Sequence, residues 1–152
     1  MPIKIDETDR RLLKILQSDG RRQNTDLADD VGLSPSPCLR RVKLLEEQGV
    51  IDRYVALLNP AAVGMTVTVF VRVTLEKQDK ATVDHFTREI QHVPQVLECH
   101  LMGGDCDFLL RVVASNLEDY QHFLLEHLTC IRGVRNVKTE IPLKTVKQTT
   151  EF

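Results

Sequence analysis

Apolar residues along the first fifty positions recur at intervals of three and four, the spacing of a helical face, and over 66–75 the interval shortens to two. Ile5, Leu12, Leu13 and Leu16 mark the stripe of a first helix that starts at Asp6 and stops at Asp19-Gly20. Asp9 stands where a capping box usually carries Glu. A second, short helix is predicted over 25–31, capped by Asn24, with Leu27, Ala28 and Val31 inward and Gly32 as the turn after it. The third has Ser34 as N-cap and Pro35 at the first helical position, where a missing N–H costs nothing; Pro37 still lies within the turn that lacks intrahelical partners. Cys38, Leu39, Val42 and Leu45 fall at the spacing of a core face, Arg40, Arg41 and Lys43 lie on other faces, and Gly49 stops the helix. By itself this third helix reads as a solvated amphipathic helix. In the order helix, short helix, glycine turn, cationic helix, it reads as the recognition helix of a helix-turn-helix, fit for a major groove.

Val50 to Leu58 is apolar and β-branched and reads as a strand and connector, broken at Asn59-Pro60. Over 66–75, Val67, Val69, Val71, Val73 and Leu75 alternate with Thr66, Thr68, Phe70, Arg72 and Thr74, the pattern of a half-buried strand. Val83, Phe86, Ile90 and Val93 then step by three and four, and Pro94 ends that helix. Strands over 96–102 and 106–114 flank Gly103-Gly104-Asp105, a hairpin-type connection. Leu117, Tyr120, Leu124 and Leu128 mark another helix, and 134–143 a last strand. The order βαββαβ is ferredoxin-like, with both helices on one face of an antiparallel sheet. Its other face needs a cover, which predicts a dimer or larger assembly. The fold class is therefore α+β, with an N-terminal helix-turn-helix (winged-helix-like) domain at 1–50, a connecting strand and hinge at 51–64, and a C-terminal ferredoxin-like βαββαβ oligomerisation domain with its tail at 65–152.

Charge refines this picture without creating it. The net charge is −2, and the chain up to Pro60 carries ten Lys and Arg against ten Asp and Glu, so no general basic character argues for nucleic acid. Local placement has to do that work: Arg10, Arg11, Arg21, Arg22, Arg40, Arg41 and Lys43 would share a face from which Asp29, Asp30, Glu46 and Glu47 point away. Weak binding by one subunit, compensated by multivalency, is the consequence. The N-terminus lacks an apolar run of signal-peptide length and no segment approaches a membrane span, which predicts a cytoplasmic protein without membrane partners.

Cys38, Cys99, Cys106 and Cys130 show no CxxC spacing, and Cys99 and His100 would point to opposite faces of a strand, so no metal site is expected. Reduced thiols are the expectation, with Cys106 the one placed for redox chemistry beside the glycine loop. Gly103, Gly104, Asp105 and Asp107 fit two roles. Glycine N–H groups and a nearby carboxylate suit the two ends of an amino acid, while a tight hairpin needs the same residues for its turn.

LSPSPCLRRVK…LEEQGVI followed by ALLNP, and later ECHLMGGDCDFLLRV, resemble the two signatures of the Lrp/AsnC family of transcription regulators. Together the resemblances span almost the whole chain. They imply dimers built into octamers, a connector that helps pair subunits, and an amino-acid effector held between subunits by Leu101, Gly103, Gly104, Asp105 and Asp107. Cys106 departs from the aromatic or other side chain of many relatives, which bears on effector identity. The reading that follows is a sequence-specific regulator of amino-acid metabolism or transport genes, not an enzyme, with no cofactor beyond that effector. Ser34, Ser36, Arg40, Arg41 and Lys43 would reach double-stranded DNA, Arg40 at a base edge and the others mainly at phosphates. Two other readings remain: a ligand-independent architectural DNA-binding protein, and an enzyme resembling siroheme decarboxylases, which share this fold.

Overall fold

Asp6 opens the first helix, α1 (Glu7–Ser18), by accepting the Asp9 N–H at 2.8 Å while the Asp9 carboxylate accepts the Asp6 N–H at 3.1 Å. The shorter acid thus closes the same reciprocal cap as Glu. The computed structural model describes residues 3–152, in two compact units: residues up to Leu57 with Val146–Phe152, and Leu58–Thr145.

In the first unit, α2 (Asn24–Val31) and α3 (Pro35–Glu47) follow α1. Leu12, Leu27, Ala28, Val31, Cys38 and Val42 form the core, with Ile15, Leu16 and Leu33 at its margin. Gly32 takes φ 74°, the left-handed turn that lets α3 leave α2. Two expected caps are absent. Asn24 lies inside α2, and its Nδ2 donates across the turn to the Pro35 carbonyl at 2.9 Å. Ser34 is the N-cap of α3 by position but makes no side-chain cap bond, and the third helical residue, Pro37, has no N–H to give one.

Leu39 also departs from expectation: it is exposed. Successive helical residues are about 100° apart, so a stripe centred on Cys38, Val42 and Leu45 leaves Leu39 on its flank. Beyond Gly49, residues 52–59 form no regular element and pair with no strand, so the predicted strand is an open segment with Val55, Leu57 and Leu58 exposed. A ladder needs a second strand, and this unit has none among the described residues. Tyr54 ties the segment to α3 by donating to Glu46 Oε1 at 2.9 Å; burial and that carboxylate push the phenol up to about 12.

The second unit runs β1 (Val67–Leu75), α4 (Lys80–Ile90), β2 (Val96–Leu101), β3 (Phe108–Ala114), α5 (Leu117–Phe123) and β4 (Val134–Glu140). Its antiparallel sheet has the order β2-β3-β1-β4, the ferredoxin-like arrangement. Alternation places Val69, Val71, Val73 and Leu75 against Phe86 and Ile90 of α4 and Tyr120 and Phe123 of α5. After α5 a π turn (Leu124–Leu128) closes with Thr129 N–H on the Leu124 carbonyl at 3.0 Å. That wider turn brings Leu128 into the core behind Phe123, both of them buried, whereas Leu117, expected inside, is exposed at the first position of α5. Residues of the opposite sheet face include Phe70, Arg72, Leu109 and Arg111, the last paired with Glu98 at 2.6 Å. That pairing holds the Glu98 carboxyl below its ordinary range.

Candidate DNA-binding helix and effector loop

The cations of the first unit separate into two groups. Arg41 Nη1 lies 2.7 Å from Asp6 Oδ2 and 2.8 Å from Asp9 Oδ1, binding α3 to the capped start of α1. The Asp9 N–H, and after it the Arg41 guanidinium, hold the Asp6 carboxyl below its ordinary range. Arg22 pairs with Asp30 at 2.9 Å, and Arg11 donates to the Asp30 carbonyl at 2.9 Å. Arg40 and Lys43 make no ion pair among the described residues and stand exposed on α3. At about 100° per residue, Ser36, Arg40 and Lys43 lie within about 60° of one another, whereas Arg41 is turned about 100° from Arg40 toward α1. The expected convergence of seven cations is therefore narrower, because three of them are held by carboxylates or a carbonyl of their own unit.

The start of α3 has a distinct chemistry. Pro35 and Pro37 remove two of the N–H groups that a helix N-terminus usually offers an anion, and Cys38 N–H is taken by the Ser34 carbonyl at 3.2 Å. The Ser36 N–H and the hydroxyls of Ser34 and Ser36 are what remains for a phosphate.

At the β2–β3 hairpin the loop closes with Met102 N–H on the Asp107 carbonyl at 2.8 Å. Leu101, Gly103, Gly104 and Asp105 are exposed, with open space where either glycine would carry a side chain. Asp107 is different. It is only 8% exposed, its N–H bonds the Val73 carbonyl at 2.9 Å, and its Oδ2 accepts the buried Leu75 N–H at 2.7 Å. Its carboxylate is therefore engaged in joining the loop to the end of β1. Cys106 is buried as well; the exposed thiol is Cys130, not the one beside the loop. Burial pushes the Cys99 thiol up to about 11.

Two cavities of this unit lie elsewhere, one of about 410 Å³ beside Gln95, Ser115 and His122, the other of about 490 Å³ between His85, His92 and Cys130. The glycine loop itself is an open surface on one chain. Among the described residues no three His, Cys, Asp or Glu side chains are arranged for a metal ion, and no helix is long and apolar enough to cross a membrane.

Comparison with known proteins decides what this pair of units is. Residues 5–52 match the family model for winged helix-turn-helix DNA-binding domains, and residues 68–152 match the Lrp/AsnC ligand binding domain. The chain belongs to the Lrp/AsnC family. It is 40% identical over 148 residues to the leucine-responsive regulatory protein of Escherichia coli (strain K12), covering 97% of this chain and 90% of that one. A Neisseria meningitidis transcriptional regulator solved as its L-methionine complex superposes with TM-score 0.94 at 36% identity, covering 98% of this chain and 96% of that one. The feast or famine regulatory protein of M. tuberculosis, complexed with L-methionine, gives TM-score 0.85 at 31% identity over 95% and 96% of the two chains. This Lrp/AsnC member is accordingly a DNA-binding transcription regulator on an α+β, two-domain scaffold.

What sequence reasoning missed in this family member is the company its charged groups keep. Asp6, Asp9 and Asp30 are the acceptors of Arg41, Arg22 and Arg11, over sequence separations that no local pattern reveals.

Proposed function

We propose that this regulator reads a two-fold DNA site through the outward face of α3, and that an amino acid bound at the glycine loop between two copies alters that reading. The observation that carries the first part is the division of cations on α3: Arg40 and Lys43 are exposed beside Ser36 with no ion pair among the described residues, while Arg41 is held by Asp6 and Asp9. Arg40 takes a base edge, and Lys43, Ser34 and Ser36 take phosphates. Arg41 sets the pitch of the helix. Paired through dimerisation, two such helices sit about one DNA turn, roughly 34 Å, apart.

The second part rests on the exposed Leu101, Gly103, Gly104 and Asp105, whose open surface becomes a pocket when a second copy faces it. Both relatives solved with L-methionine support an amino acid as the occupant. A dimer, extended to an octamer, in the cytoplasm, controlling amino-acid metabolism or transport, completes the proposal. A mobility shift of upstream DNA at fixed salt, with and without each amino acid and L-methionine first, tests it. An amino acid that strengthens, weakens or reshapes the shift supports the reading. Binding and assembly indifferent to every amino acid overturn the effector assignment and favour an architectural protein. A protein coloured by bound tetrapyrrole would favour the enzyme.

A further inference from the structure

The outward face of α3 carries an apolar side chain that no partner in its own unit explains. Leu39 is 43% exposed, whereas Cys38, Val42 and Leu45 of the same helix are buried. From the helical repeat it lies about 40° from Lys43 and about 60° from Ser36, with Arg40 about 100° away. It is thus on the rim of the cationic face, in the N-terminal half of α3, the part of a recognition helix that meets base edges. Leu44, similarly exposed, lies on the opposite flank of that face and in the C-terminal half. An exposed leucine at the rim of a cationic face is poorly used in water, and DNA offers it one apolar feature in the major groove, the C5-methyl group of thymine.

We propose that Leu39 is a specificity-determining residue that packs on a thymine methyl in each half-site. The inference rests on the reading of α3 as the recognition helix. Lys43 and Arg40 supply the attraction that brings the groove to it, and Leu39 selects the base.

The probe is a set of duplexes enriched from a random-sequence pool by the full-length protein, with each thymine replaced in turn by deoxyuridine, which removes only the methyl group. The wild-type protein should lose about fourfold in affinity at one thymine per half-site, the worth of about 0.8 kcal/mol for one buried methyl-sized group. Leu39→Ala should bind the unmodified duplex several-fold more weakly and be indifferent to uracil at that thymine, while Leu44→Ala keeps the wild-type response. Wild-type binding that tolerates uracil at every thymine overturns the proposal. So does a Leu39→Ala variant that retains the methyl sensitivity, or one whose sedimentation at fixed concentration shows a changed assembly, which would make Leu39 a subunit contact. A pool from which no sequence is enriched overturns the reading of α3 as well, and is distinguished from the other failures by occurring before any uracil is introduced.

Discussion

Replacing Asp107 with alanine removes the acceptor of the Leu75 N–H, a group buried at the end of β1. A buried N–H left unpaired costs about 1–3 kcal/mol, and a bond to a charged acceptor contributes about 1.5–3 kcal/mol, so a loss of about 2 kcal/mol is expected. For a domain of this size each kcal/mol lowers Tm by about 4–8 °C, so Asp107→Ala should melt roughly 8–16 °C below wild type. Asp107→Asn keeps an oxygen in the same place and should lose less than half as much. Thermal and urea unfolding at one protein concentration, followed by circular dichroism, measure both, and fixed concentration matters because assembly adds to apparent stability. An alanine variant within about 0.5 kcal/mol of wild type refutes the reasoning, since that is the range of surface substitutions. If the asparagine variant is as stable as wild type yet loses its amino-acid response, Asp107 is an effector ligand after all.

Arg41→Ala should weaken operator binding without changing the slope of log K against log salt, and Asp9→Asn should weaken it in the same sense; a slope reduced by about 0.9, the signature of one lost phosphate contact, would place Arg41 on DNA. Gly133 has φ 97°, and a Cβ there would approach Thr82 Cγ2 to 2.7 Å, so Gly133→Ala should cost at least about 1–2 kcal/mol in unfolding experiments, with partial recovery when Thr82→Ser removes that methyl. Because the Asp6 pKa is depressed on folding, its contribution is complete above the unfolded value of about 3.9 and is lost as pH falls through the lower folded value. Asp6→Asn should therefore flatten the acid limb of a stability profile below about pH 4; an unchanged limb would show that the capping box does not contribute to acid sensitivity.

The periodicities of three-four and of two carry the helices, the βαββαβ order and the inward faces of β1 and α2, because those depend on neighbours a few residues away along one element. The capping box at Asp6 and Asp9 is legible for the same reason: donor and acceptor belong to one turn. Two motifs in order were enough for family membership. The roles of individual side chains were less legible. Arg40 and Arg41 are adjacent and identical in the chain, and only packing against α1 turns one into an internal tie and leaves the other exposed. Asp105 and Asp107 read as a matched pair beside two glycines, until the register of β1 with β3 places Asp107 against a buried backbone N–H. Leu39 shares the helical spacing of core residues, and the direction of the buried stripe alone excludes it. Local sequence determined which segments are helix or strand and which family they build. Which charges are spent inside the fold, and which remain for DNA or effector, was decided by tertiary contacts between distant residues, because pairing energy depends on proximity that the linear order does not encode.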